Sequence, residues 1–258
     1  MCLIVVAWQV DPTCPLVLAA NRDEFHERPT EAAHWWTTPS GLFAGRDLRS
    51  GGTWCGADTQ GRIAAVTNVR EPGFDNTSAL RSRGALVADF FAGDADARGW
   101  AEHVAGIGAD YGPFNLLVAD RSRLCFVSNR DSAGVRELSP GIVAISNGHW
   151  GERWPKTQRA ERGMRRELAA GTPVTDALFA LLADTEPAAY TELPDTGIPR
   201  EHERFLSSPF IKGEHYGTRA STVIRRHAQD TLDFHERGFA QAGQPVHRIH
   251  QSWSIGST

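Results

Sequence analysis

MCLIVVAWQVDPTCPLVLAANRDEF, residues 1–25, is the stretch that decides the fold of this chain. The apolar run 3–8 is continuous and rich in β-branched residues, so it predicts a strand buried on both faces. Residues 11–15 contain turn formers, and residues 16–20 predict a second buried strand. Because antiparallel strands joined by a short turn run out and back, the polar run 21–24 returns to the side of Cys2.

The rest of the chain predicts more strands than helices. Further strands are predicted at residues 42–44, 53–57, 63–67, 114–119, 124–129, 135–138, 142–146, 218–225 and 231–237. Helices are predicted at residues 82–91, with Ser82 as N-cap, and at 95–104, 154–169 and 173–183. Hairpins with intervening helices favour an antiparallel, layered α+β fold, and residues 1–258 contain no linker, so one domain is expected.

Two other stretches carry weaker patterns. Residues 184–216 contain Pro, Glu and Gly and are predicted to be irregular. The tail 239–258 is low in apolar residues, and His247 and His250 are expected to be exposed there.

Composition excludes several function classes. The net charge of −4 argues against a nucleic-acid binder, which normally carries a basic surface. The four cysteines contain no C-x-x-C pair, so a zinc site built on cysteines is not expected. We expect free thiols and a cytoplasmic setting instead. No stretch is long and apolar enough for a membrane span, and the N-terminus lacks the pattern of a signal peptide.

Cys2 is the first candidate for chemistry. Removal of the initiator Met1 would leave a thiol and an α-amine on one residue. The α-amine has an ordinary pKa of about 8, so it can act as the base that activates the thiol. The alternative is that Cys2 is a small apolar residue at the start of a strand.

Polar residues at the ends of other predicted strands form the second group. Asp23 returns to the side of Cys2 and can hold its amine, whereas a charged run of this kind is otherwise a solvated loop. Asn68 and Asn147 each follow an apolar strand, where an amide can donate to an oxyanion or simply close a turn. Arg219 can bind an anionic group or lie on the surface, and Trp54 can line a pocket or pack in the core.

A set of short motifs resembles the NRDE family, the family of the Transport and Golgi organisation protein. The matching residues are Met1-Cys2, the run 19–25 (AANRDEF), Gly51-Gly52-Thr53-Trp54, Thr67-Asn68, Ser146-Asn147 and Tyr216-Gly217-Thr218-Arg219. This family is similar in turn to N-terminal-nucleophile (Ntn) hydrolases. The resemblance therefore implies a four-layer αββα sandwich of two antiparallel sheets.

The resemblance also implies roles for individual residues. By similarity to the cysteine subgroup of Ntn hydrolases, Cys2 is the nucleophile and Asp23 orients its amine. Asn68 and Asn147 would stabilise the oxyanion, and Arg219 is the counterpart of a late arginine. This chain departs from the subgroup in one respect. The position of the subgroup's early arginine is occupied here by Ala20, and an arginine, Arg22, stands instead between Asn21 and Asp23. Arg22, Asn21 and Trp54 are the candidates for substrate binding.

Two functions follow as hypotheses. The first is a cysteine hydrolase that acts on an amide or an acyl (thio)ester of a small molecule and needs no metal or organic cofactor. The alternative is a carrier for haem, acyl-CoA or another apolar ligand on the same scaffold, because a fold does not fix a function. The resemblance further implies a link to Golgi organisation and to haem or lipid homeostasis.

Overall fold

The computed structural model describes residues 2–74 and 79–256, and Met1 lies outside this range. The strands are β1 Cys2–Asp11, β2 Cys14–Phe25, β3 Thr30–Trp35, β4 Leu42–Asp47, β5 Cys55–Asp58, β6 Ile63–Asn68, β7 Phe114–Ala119, β8 Leu124–Ser128, β9 Arg136–Glu137, β10 Gly141–Ile145, β11 Tyr216–Arg226, β12 Thr231–Phe239 and β13 Pro245–Ser254. The α-helices are α1 Arg83–Ala92, α2 Ala97–Ile107, α3 Pro155–Ala169, α4 Thr175–Leu182 and α5 Arg200–Phe205.

The hairpin of β1 and β2 is the structural centre of the site. The two strands pair in antiparallel fashion and bring the polar run 21–24 to the side of Cys2, as the sequence predicted, and Cys2 lies directly opposite Arg22. The polar run 21–24 is not a loop, however, because β2 continues through it to Phe25. It stays extended because β11 pairs with the other edge of β2 along the same residues. Asn21, Arg22 and Asp23 are therefore buried within a sheet.

The strands form two antiparallel sheets that pack face to face. One has the order β10-β1-β2-β11-β12-β13 and the other the order β3-β4-β5-β6-β7-β8-β9. Alternation along β1 explains the layers, since successive side chains point to opposite faces of a strand. Ile4 and Val6 pack against the second sheet, whereas Leu3 and Val5 pack against the helical layer that contains Met164.

Helices cover both outer faces. The helices α3 and α4 lie on the first sheet, and α1 and α2 lie on the second. The result is an antiparallel, layered α+β fold, as the sequence pattern predicted, and it is the αββα sandwich that the family resemblance implied. None of the helices among residues 2–74 and 79–256 is both long and apolar enough to cross a membrane.

Three elements were not predicted from the sequence. Strand β3 follows the hairpin and forms one edge of the second sheet, and α5 interrupts the segment predicted to be irregular. The tail contains β13, whose residues alternate between exposed and half-buried at the edge of the first sheet. The prediction of an exposed tail was therefore wrong for His247, which is half-buried and hydrogen-bonds through Nε2 to Glu236 Oε1 at 3.0 Å.

Candidate active site

A small cleft of about 130 Å³ opens beside Cys2. It lies where β1 begins, where β2, β4 and β6 end, and where α1 begins. The predicted site residues that line it are Cys2, Arg22, Asp23, Trp54 and Asn68. The fold thus brings five of the eight predicted residues to one cavity from four separate parts of the chain.

Cys2 is half-buried, and the other three cysteines are buried. Its carbonyl oxygen accepts a hydrogen bond of 2.8 Å from Ser146 Oγ, which fixes the start of β1 beside the residue after β10. Burial raises the pKa of the Cys2 thiol above its ordinary value, and the nearby Arg22 only partly opposes this effect. The thiol therefore keeps its proton at neutral pH until a base removes it.

Asp23 lies on the helix-facing side of β2 and is buried. Thr218 Oγ1 donates a hydrogen bond of 2.7 Å to its Oδ1. Burial raises the pKa of Asp23, and the positive charge of Lys156 is the main effect that opposes this rise. Burial outweighs this opposing effect, so the pKa of Asp23 stays raised, and the charge of Lys156 limits the rise.

Lys156 does not line the cleft, but its charge acts on Asp23, and this contribution was not predicted from the sequence. It stands in the first turn of α3 with 1% of its surface exposed, and its Nζ donates to the carbonyl of Leu206 at 3.2 Å. Burial lowers the pKa of this ammonium group to about 8, although Asp23 raises it. A compositional signal was present, because the chain contains 25 arginines and only two lysines, Lys156 and Lys212.

Arg22 points to the opposite side of β2, toward the second sheet. Its guanidinium group forms an ion pair with Asp47 at 3.0 Å and lies over the ring of Trp54, 4.6 Å from the centroid. Arg28 also binds Asp47, at 2.5 Å. Although burial raises the pKa of Asp47, Arg28 and the backbone amide of Ser50 outweigh this effect and hold it below its usual value.

Asn21 faces the same side as Asp23 and is fully engaged in structural contacts. Its Nδ2 donates to the carbonyls of Leu182 and Pro209, at 2.9 and 2.8 Å, and its Oδ1 accepts from Ser221 Oγ at 2.6 Å. It does not line the cleft of Cys2. Asn21 therefore ties β2 to the helical layer, and the structure does not bring it to the site where a substrate role was predicted.

Asn68 and Asn147 form a pair in which only Asn68 lines the cleft. Asn147 is buried, and its Nδ2 donates to both the backbone oxygen and the Oδ1 of Asn68, each at 2.9 Å. Both amide hydrogens of Asn147 are thereby used, so none is left for an oxyanion. Because its Oδ1 faces Asn147, Asn68 turns its own Nδ2 away from that pair. Asn147 positions Asn68.

The N-terminus of α1 forms another wall of the cleft, which was not placed in the site from the sequence. Ser82 caps the helix by accepting a hydrogen bond from the backbone amide of Gly84, and Ser82, Arg83 and Gly84 line the cleft. Burial lowers the pKa of Arg83, and negative charge on the nearby Cys2 sulfur opposes this effect. A helix N-terminus and a guanidinium group both favour negative charge at this position.

The Gly51-Gly52-Thr53-Trp54 motif explains how α1 approaches so closely. A Cβ at Gly52 would lie 2.5 Å from the backbone carbon of Gly84, so only glycine fits there. The backbone amide of Thr53 donates to the carbonyl of Gly84 at 3.2 Å. This contact holds the residue before Trp54 against the start of α1, and both line the cleft of Cys2.

Arg219 lies in a neighbouring and wider cleft of about 850 Å³ rather than in the small one. It occupies a bulge of β11 opposite the end of β2. Its guanidinium group donates to the carbonyls of Phe25, His26 and Arg28, at 2.9, 3.1 and 3.1 Å. Arg219 therefore braces the chain that follows β2. The two clefts adjoin, because Arg22 and Trp54 line both.

No group of three or more His, Cys, Asp or Glu side chains suited to a metal ion occurs among residues 2–74 and 79–256. The αββα sandwich of two antiparallel sheets is the Ntn-hydrolase-like fold.

Two solved structures share this fold. A Caenorhabditis elegans N-acylethanolamine-hydrolyzing acid amidase ortholog superposes with a TM-score of 0.51 at 13% identity, over 86% of this chain and 92% of its own. The C2A mutant of the conjugated bile acid hydrolase from Clostridium perfringens superposes with a TM-score of 0.54 at 6% identity, over 99% of this chain and 92% of its own. At these identities the likeness shows the fold alone.

The chain belongs to the Transport and Golgi organisation 2 family, whose family model matches residues 1–241. The Transport and Golgi organization protein 2 homolog of Bos taurus is 34% identical over 264 residues, and that of Homo sapiens is 30% identical over 257 residues. Each alignment covers 92% of this chain and 92% of the relative.

Proposed function

We propose that this chain is an N-terminal-nucleophile cysteine hydrolase that cleaves an amide or an acyl (thio)ester after removal of Met1. The observation that carries the proposal is the convergence of a cysteine thiol, a buried carboxylate and an amide donor around one cleft, from Cys2, Asp23 and Asn68. The names of the two solved neighbours, an acid amidase and a bile acid hydrolase, support an acyl compound as the substrate class.

The first half of the reaction forms an acyl-enzyme. The α-amine of Cys2 takes the thiol proton while Sγ attacks the carbonyl carbon, so an S–C bond forms and the carbonyl oxygen becomes an oxyanion. Asn68 Nδ2 donates to this oxyanion, and Arg83 with the N-terminus of α1 adds positive potential. When the tetrahedral intermediate collapses, the C–N, C–O or C–S bond breaks and the leaving group takes the proton from the ammonium group.

Water completes the cycle. It attacks the acyl carbon, and the α-amine takes a proton from it, which produces a second oxyanion in the same position. Cleavage of the C–S bond then releases the carboxylic acid, and the proton returns to Sγ. Neither half of the reaction needs an oxidant, a reductant or a co-substrate other than water.

The electrostatics of the site supports the roles proposed for Cys2 and Asp23. The raised pKa of the Cys2 thiol calls for an adjacent base, and Asp23, whose carboxylate form Lys156 favours against the effect of burial, is suited to hold an amine in place. Lys156 acts as a positioning residue, because its charge favours the ionised form of Asp23. Removing the oxyanion donor Asn68 is expected to cost about 3 kcal/mol of transition-state stabilisation.

The experiment combines intact mass with turnover. Protein purified from its native host is weighed to establish loss of Met1, and hydrolysis of acyl p-nitroanilides and acyl thioesters is then measured. Cys2→Ala should abolish turnover and an acyl adduct at residue 2, whereas Cys125→Ala, at a buried cysteine of β8, should keep both. Turnover that survives Cys2→Ala, or retention of Met1 in the native protein, would overturn the proposal.

The wider cleft favours a second candidate function, that of a carrier. Its volume of about 850 Å³ lies within the range of small-molecule sites, and exposed Phe25 stands at its wall. A carrier for haem, acyl-CoA or another apolar ligand would bind equally well to the wild type and to Cys2→Ala, with no acyl adduct and no turnover. The same mass and turnover measurements therefore separate the two functions.

A further inference from the structure

Glu236 is a buried carboxyl group at the wall of the wider cleft that the proposed reaction does not use. Only 2% of its surface is exposed. Its Oε1 accepts hydrogen bonds from the backbone amide of Ala33 at 2.8 Å and from His247 Nε2 at 3.0 Å. Its Oε2 is also buried and has no hydrogen-bond partner in the described part of the chain. An unsatisfied buried acceptor is costly, so a ligand that supplies a donor here gains the bond.

The charges around this cleft favour a cation. Glu27, Glu31 and Glu214 line it together with Glu236. Two arginines line it as well: Arg22 pairs with Asp47, whereas Arg219 donates from Nη1 to three backbone carbonyls and has no hydrogen-bond partner for its buried Nε in the described part of the chain. The carboxylates thus outnumber the guanidinium groups, and clefts lined mainly by one sign of charge attract ligands of the opposite sign.

Apolar side chains share the walls with these carboxylates. Phe25 and Val246 are exposed to 53% and 65% at the cleft, and Phe239 lies beside them half-buried. A ligand that fills this space therefore needs an apolar body as well as a hydrogen-bond donor.

We infer that the wider cleft binds the cationic amino group of an amphipathic substrate, with Glu236 Oε2 accepting its hydrogen bond and Phe25 and Val246 covering its apolar body. The inference rests on the proposed function, because it takes the scissile carbonyl to lie at Cys2. Arg22 and Trp54, which border both clefts, would then flank the middle of the substrate.

The test uses matched probes of equal chain length. In the first series, ω-aminoacyl, alkanoyl and ω-carboxyacyl p-nitroanilides carry an ammonium, a methyl or a carboxylate group at the end of the acyl chain. In the second series, N-acylated diamines and N-acylated alkylamines carry an ammonium or a methyl group at the end of the leaving amine. A hydrogen bond to a buried carboxylate should raise kcat/KM for the ammonium probe over the methyl probe by about tenfold to a hundredfold in one of the two series. The carboxylate probe should be the poorest.

Variants locate the effect. Glu236→Gln keeps an oxygen for the amide of Ala33 but removes the charge, so the ratio of ammonium to methyl probe should fall close to one. Glu102→Gln removes an exposed carboxylate on α2 and should keep the ratio. The ratio of kcat/KM for the ammonium probe to that for the methyl probe is measured first on the wild type. The inference can therefore be overturned on the wild type alone, even if Glu236→Gln fails to fold. An ammonium preference that is absent in both probe series, or unchanged in Glu236→Gln, overturns it.

Calorimetry separates the two proposals. The same probes are titrated into Cys2→Ala protein, which binds without cleaving. Selective binding of the ammonium probe with no turnover by the wild type would reject the hydrolase and keep the cationic site. Equal turnover of all three probes would keep the hydrolase and reject the cationic site.

Discussion

Replacing Lys156 by methionine should change how stability depends on pH, by an amount that follows from its burial. Burial lowers the pKa of this ammonium group from 10.5 to about 8. The folded protein therefore loses the proton near pH 8, while the unfolded chain keeps it to about pH 10.5, so this group makes stability rise with pH between those limits. At 1.36 kcal/mol per pKa unit the full effect is about 3 kcal/mol, of which about 2 kcal/mol falls between about pH 7 and about pH 9.5.

The measurement is urea unfolding of the wild type and Lys156→Met at both pH values. The free energy of unfolding of the wild type, relative to the variant, should increase by about 2 kcal/mol between the lower and the higher pH.

Lys212 provides the matched control, because it is the other lysine of the chain and is exposed. Lys212→Met should show no such pH-dependent difference. If the difference between the wild type and Lys156→Met were the same at both pH values, Lys156 would have an ordinary pKa, and the conclusion that its burial outweighs the attraction of Asp23 would be refuted.

Two further predictions concern the site. Asn68→Ala should lower kcat for p-nitroanilide hydrolysis by about a hundredfold or more. Asn147→Ala should lower it by about tenfold, and the double variant should be no slower than Asn68→Ala, because Asn147 acts through Asn68; additive losses would show that Asn147 acts on its own. In urea unfolding, Gly52→Ala should destabilise the protein by about 1–3 kcal/mol, because its Cβ would lie 2.5 Å from Gly84. Gly106→Ala, in α2 with no atom within 4 Å of the added Cβ, should stabilise it by about 0.5–1 kcal/mol; equal effects of the two substitutions would contradict the close approach.

The sequence predicted the parts of the fold that periodicity and turn residues determine. The first hairpin followed from two apolar runs and one turn, which together bring the polar run 21–24 back to Cys2, whereas the register that sets Arg22 opposite Cys2 is known from the structure alone. The N-cap at Ser82 followed from the spacing of the apolar residues of α1. Both rest on contacts between segments that are close in the chain, where local rules are strongest.

Long-range pairing decided what the sequence did not predict. The run 21–24 is polar, which is typical of a loop, but β11 pairs with it and turns it into a buried strand. The residues of β13 alternate in exposure because β13 pairs with β12 as the outermost strand of the first sheet. Nothing in the local sequence of Asn147 indicates that its side-chain amide donates its hydrogen bonds to Asn68, which belongs to the other sheet. Contacts that join distant segments leave no local periodicity to detect.

The arrangement of β2 gives a physical meaning to the departure of this chain from the cysteine Ntn hydrolases that it resembles. The resemblance implies an arginine where Ala20 stands, and this chain carries Arg22 instead. A shift of two residues keeps the side chain on the same face of a strand but moves it roughly 7 Å along the strand. The guanidinium group thereby lies opposite Cys2, over Trp54, at the border between the small cleft and the wider one. A shift of one residue would have turned it toward Lys156 instead. We therefore expect the substrate to differ from those of that subgroup in the part that passes from Cys2 into the wider cleft.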